Sequence, residues 1–114
     1  MLKLVGRWRM TAVDRRTGKV VCVKQGRNLI TDAGLALAAA LLSGDESTGL
    51  LVHALGTDGT APSAANTALG AEQVRLPFTI RSAASGKAEF SVYYPGPQCA
   101  FHIQEAGVFG GSGT

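Results

Sequence analysis

A chain of 114 residues, 46% of them hydrophobic, suits one domain of modest core and leaves little room for a second. Aromatics supply only 6% of the residues, so the core has to be small-residue-rich and closely packed, which leaves room for partner subunits to add stabilisation. The net charge of +3 is too small by itself to argue for nucleic acid, the N-terminus lacks the apolar run of a signal peptide, and the most apolar stretch, Ala33–Leu42, has about half the length that spans a bilayer.

The first element is a strand over Leu2–Val13. Leu4, Gly6, Trp8, Met10 and Ala12 share one parity, which points them inward, and Arg7, Arg9 and Thr11 share the other. Asp14–Lys19 has turn chemistry, with Asp opening and Gly18 near the close, and Val20–Val23 completes an N-terminal β-hairpin. Gln25–Asn28 interrupts the pattern. A helix over about 32–43 follows, with Thr31 as N-cap, Asp32 in the first turn and Gly44 as the stop. Leu35, Ala38, Ala39 and Leu42 line one face, widened by Leu37 and Leu41, and the helix is expected to cover a sheet.

Leu50–Leu55 reads as a strand, and Gly56–Gly70 as a loop too long for a tight turn. Glu72–Ser82 alternates cleanly, with Pro77 placing it at an edge or a bulge. Lys87–Tyr94 and Ala100–Phe109 are the remaining strands, separated by Pro95-Gly96-Pro97. The expected fold is α+β: one antiparallel β-sandwich-like domain over 1–114, with a hairpin at 1–27, helix plus strands at 28–109 and a tail at 110–114.

The residue types that do chemistry are scattered. His53 and His102 sit within strand-like runs and read as half-buried strand residues. Cys99-x-x-His102 is one close pair, and Cys22 and His53 would be needed to complete a metal set that no spacing supports. Cys22 and Cys99 read as reduced thiols acting as small apolar residues. Gly56-Thr57-Asp58-Gly59-Thr60 lacks the Gly-Lys-Ser/Thr ending of a phosphate loop. Asp58, Glu72, Glu89 and Glu105 have no spacing that argues for paired carboxylate chemistry. No catalytic centre, metal, cofactor or small-molecule substrate is therefore expected.

Glu105 shares the parity of Phe101, Ile103 and Phe109, which points a carboxylate inward. A buried carboxylate needs a partner, and Arg75 is the expected one, within the chain or across a subunit contact. Arg7, Arg9, Arg15 and Arg16 surround Trp8. That grouping suits phosphates or stacked bases, but reads more simply as an outward strand face reaching solvent or a neighbouring subunit. Tyr93 has outward parity beside the Pro-Gly-Pro loop, as a sugar-binding platform would require.

Four segments resemble phage tail-fibre and tail-collar-type proteins, in the same order. Asn28-Leu29-Ile30-Thr31-Asp32-Ala33-Gly34-Leu35, followed by an Ala/Leu helix, resembles their opening. Val52–Pro62 is similar to their strand-and-loop segment. Thr67-Ala68-Leu69 with Glu72 and Arg75 is similar to a third, and Ile103-Gln104-Glu105-Ala106-Gly107-Val108-Phe109 to their closing strand.

The preceding hairpin, with Asp14 and Thr17-Gly18-Lys19-Val20-Val21, also resembles what stands ahead of such segments, so the likeness runs from about Asp14 to Phe109. It implies a virion structural protein without a catalytic centre, often trimeric, that links an appendage to the tail and is synthesised in the host cytoplasm. Its partners would be copies of itself and other tail proteins, with no nucleic acid and no membrane insertion. The interface candidates are Trp8, Arg7 and Arg9 of the hairpin, and Asp58, Thr60, Pro62 and Asn66 of the long loop. Gln104 stands where an Arg or Lys is common, and the sequence stops just after Phe109, which favours an attachment or packing role over host recognition. A capsid decoration or head-fibre protein is the alternative address, and a carbohydrate-binding receptor module a lesser one.

Overall fold

A computed structural model describes residues 4–96 and 101–111. Seven strands and one helix form an α+β fold: β1 (Gly6–Val13), β2 (Val20–Asn28), α1 (Asp32–Ser43), β3 (Leu50–Gly56), β4 (Glu72–Pro77), β5 (Ile80–Ala84), β6 (Lys87–Ser91) and β7 (Glu105–Gly110). All pairings are antiparallel, in three small sheets ordered β1-β2, β4-β3-β7 and β5-β6.

β1 and β2 form the expected hairpin, closed by Asp14, whose Oδ1 accepts from the amides of Arg16 (2.8 Å) and Thr17 (3.2 Å). β2 runs on to Asn28 instead of breaking at Gln25. Trp8 lies opposite Gly26, whose missing side chain leaves room for the indole to lie across the strand. The inward reading of Trp8 is corrected: its ring covers Gly26 but remains 44% exposed.

α1 occupies the expected span. The Thr31 hydroxyl accepts from the Gly34 amide at 3.1 Å, and Gly44 ends the helix at φ 86°, a left-handed turn that costs glycine little. Two expectations about its faces are overturned. Leu35 and Leu42 point outward, Leu42 at 75% exposure, while Gly34, Leu37, Ala38 and Ala40 are the half-buried positions. The helix buries no residue fully, so it does not seal a sheet.

β3 is the central strand. Flanked by β4 and β7, it holds Ala54 and Leu55, the core hydrophobics among the described residues, together with buried Gly56. The alternation over Glu72–Ser82 proves to be two strands. After Pro77, which closes the edge strand β4, the Phe78 amide donates to Leu51 and the Thr79 amide to Ser91, so the chain leaves β3 and joins β6. The last strand begins at Glu105, with Phe101–Gln104 as a loop; Cys99, and with it the Cys99-x-x-His102 pair, lies outside the described residues.

The chain exposes 8464 Å², whereas a self-contained folded monomer of 11.7 kDa exposes about 5,900 Å². Its radius of gyration, 14.9 Å, exceeds the roughly 13 Å of a compact domain of this length. Trp8, Val5, Val13, Val21, Leu35, Leu42 and Ile80 are among the large apolar side chains left in solvent.

Candidate functional site

The best-organised polar constellation surrounds the loop between β3 and β4. Register places Gly56 at the end of β3, opposite Glu105 of β7 and Glu72 of β4. The Glu105 carboxylate turns over Gly56 and accepts three backbone amides. Its Oε2 takes Asp58 at 2.9 Å and Ala71 at 2.7 Å, and its Oε1 takes Gly70 at 2.7 Å. Charge-assisted bonds of this kind are roughly twice as strong as neutral ones. They pin both ends of a 13-residue excursion to the closing strand, and the Gly56 carbonyl accepts from the Gln104 amide at 3.0 Å.

The glycines are there for space. A Cβ on Gly56 would collide with the Glu105 carboxylate and the Ala71 carbonyl, and one on Gly70 would collide with Asp58. Within the loop, Asp58 Oδ1 accepts the Thr60 amide at 2.9 Å, and bonds from Thr60 hold the Asp58 carboxyl below the ordinary carboxylate range. The Asp32 amide donates to the Ala64 carbonyl at 2.8 Å, which ties the start of α1 to the middle of the loop.

The expected Arg75–Glu105 pair does not form within the chain. Arg75 Nη2 binds Glu72 Oε1 at 2.9 Å and Nε binds Oε2 at 3.2 Å, and its guanidinium lies 4.5 Å from the centre of the Phe109 ring. Glu72 is three residues away on the same strand, and the Glu105 oxygens already hold their amides. Gly107, between Glu105 and Phe109 on the same face, is bare, so that Leu69 and the Phe109 ring pack over its backbone; a Cβ there would sit 3.0 Å from both. The alternation Glu105, Gly107, Phe109 therefore has a separate task at each step: staple, gap and platform.

Three segments that are distant in sequence meet here, the Gly56–Asp58 turn, Leu69 to Arg75, and Glu105 to Phe109, and the start of α1 is tied to the loop they hold through Ala64. Sequence reasoning found the inward parity of Glu105 but missed its amide partners. The signal available was the pair of glycines, Gly56 and Gly70, at the two ends of the loop.

The other singled-out residues lie apart. Thr60, Pro62 and Asn66 are exposed on the loop, where Asn66 Oδ1 accepts the Ser63 amide at 2.7 Å. Arg7 and Arg9 are exposed on β1, and Tyr93 is 68% exposed after β6. His53 lies in an aromatic cluster, edge-on to Phe78 and Tyr94. The Tyr94 hydroxyl donates to the His53 carbonyl at 2.8 Å and lies 2.9 Å from Nδ1. With the phenolic proton on the carbonyl, Nδ1 carries the ring proton and donates to the phenol oxygen. Burial lowers the His53 pKa. His102 is elsewhere, 3.3 Å from Gln104. Among the described residues no three His, Cys, Asp or Glu side chains come together as metal ligands, and no helix is long and apolar enough to cross a membrane.

Comparison with family models, with curated proteins and with solved structures returns no match.

Proposed function

We propose that the protein is a bacteriophage virion structural module, a tail-fibre or tail/baseplate attachment piece that works through contacts with copies of itself and with neighbouring virion proteins. The observation that supports this reading is that three of the four segments resembling tail proteins, at Gly56 and Asp58, Leu69 to Arg75, and Glu105 to Phe109, hold one another, while the fourth, at Asp32, is bonded to Ala64 of the exposed loop they anchor. Large apolar side chains, Val21, Leu42 and Ile80 among them, also stand exposed, as surface meant for a neighbour would. In this reading the loop from Thr57 to Gly70 presents Thr60, Pro62 and Asn66 to a neighbour, the chain is a homo-oligomer, with three copies favoured by the resemblance, and no residue has a catalytic duty.

Quantitative mass spectrometry of purified virions, with heads and tails separated, tests the reading. Several copies per particle in the tail fraction are expected. Recovery in heads alone would make it a capsid decoration protein, and absence from intact particles would end the proposal.

A further inference from the structure

The charges of this chain are sorted by position. Residues 6–28 hold seven Lys or Arg against Asp14 alone, a net of +6, whereas residues 28–74 hold Asp32, Asp45, Glu46, Asp58 and Glu72 with no Lys or Arg at all, a net of −5. The basic block is the β1–β2 hairpin, and the acidic block begins with α1.

Each block also offers an exposed apolar strip. On one face of the hairpin Arg7, Arg9 and Thr11 lie between Val5 and Val13, and on β2 Arg27 stands opposite Arg7 and Val23 opposite Thr11. Val5, Val13 and Val23 are all more than half exposed. Arg7 is paired directly with Arg27, and like charges placed opposite each other destabilise a hairpin unless an anion lies between them. On α1, Asp32, Leu35, Ala39 and Leu42 recur at helical spacing on the outward side, and Asp45 stands just beyond the end. The eight residues of β1 span about 26 Å and the twelve of α1 about 18 Å, so the strips are comparable in length. Within one chain the base of the hairpin at Leu4, Val5 and Asn28 opens toward Leu35 across a shallow gap, and Leu42 and Asp45 lie at the other end of the helix.

We propose that the valine-and-arginine face of the β1–β2 hairpin docks on the outer stripe of α1 in a second copy of this chain. Valines meet leucines, and Arg7 and Arg27, neighbours across the hairpin, together face Asp45 beyond the helix end. The two surfaces differ, so the contact is head-to-tail. Repeated with rotation it closes a ring, and without closure it builds a filament. The inference rests on the self-assembling reading above and names the surfaces that reading leaves open.

The test is native mass spectrometry and sedimentation of the full chain with two surface variants and their combination. R7E/R27E reverses the hairpin face. L42K/D45K reverses the helix stripe and adds lysine near the helix C-terminus, where the helix dipole favours a cation, so α1 is kept. Each variant is expected to weaken self-association at least tenfold, and the four-substitution chain, with both faces reversed, to regain it. Circular dichroism checks that each variant is folded. Hydrogen exchange on the unaltered chain provides a variant-free readout: protection of residues 6–28 and of α1 should rise together with protein concentration.

An oligomer indifferent to both variants overturns this docking and leaves the self-assembly reading standing. An unaltered chain that stays monomeric overturns both. Loss in each variant without recovery in the combination overturns the pairing of these two faces. Unchanged mass in R7E/R27E, with loss of binding to an oligonucleotide or to anionic vesicles, assigns the arginines to a polyanion and overturns it as well.

Discussion

Glu105 concentrates more of the local structure than any other side chain described. Glu105→Ala strips three amides of their acceptor and is expected to cost about 3 kcal/mol, read as a lowered urea midpoint. Glu105→Gln should fall between the two, because one carboxamide oxygen can serve Asp58 and Ala71 while its NH2 would confront the Gly70 amide. Gly56→Ala should approach the loss of Glu105→Ala, and the two together should cost less than their sum, since both release the same staple. His53 sets a pH dependence of its own. Its folded pKa lies below the ordinary 6.5, so the unfolded chain binds the extra proton first, and stability is lost as pH falls below about 6.5. Thermal melts between pH 7.5 and 5.5 should show this decline, and His53→Gln should flatten it. The parity of Glu105 was legible in the sequence, because alternation with Phe101, Ile103 and Phe109 is a local signal. Its partners were not, because a backbone amide leaves no mark on residue identity, and Arg75 was claimed by a carboxylate three positions away.

Single elements follow local rules wherever those rules have no competitor. The turn joining β5 and β6 has Ser85 at φ 53° and Gly86 at φ 76°, a two-residue hairpin turn with both residues left-handed. Asparagine tolerates the first position better than serine, so Ser85→Asn should raise stability by about 0.5 kcal/mol with an unchanged urea slope. The Thr31 cap, the Gly44 stop and the hairpin turn at Asp14 were likewise readable as short-range chemistry. What could not be read was partner choice. The alternation from Glu72 to Ser82 runs on without interruption, yet Phe78 and Thr79 hand the chain from β3 to β6, and only Pro77 hinted at the break. The outward roll of α1 was hidden for a related reason: with leucine on most sides of the helix, composition cannot pick the buried side, and Leu37 beside Gly111 decides it.

At the scale of the whole molecule, surface exceeds what a lone domain of this mass leaves exposed, and the deficit of aromatics already pointed that way. A chain stabilised by its neighbours melts at a temperature that depends on its own concentration. If the proposed self-association holds, a hundredfold dilution lowers the melting midpoint by several degrees, and R7E/R27E erases that shift. The long-range wiring of the loop has a further consequence for the order of events during synthesis. Ala71 leaves the ribosome 34 residues ahead of the carboxylate that will hold it, and Asp58 47 residues ahead. Until β7 arrives, the Asp58, Gly70 and Ala71 amides lack their acceptor and the loop is held only by β3–β4 pairing and the Asp32–Ala64 bond, so its final shape waits for residues 105–110.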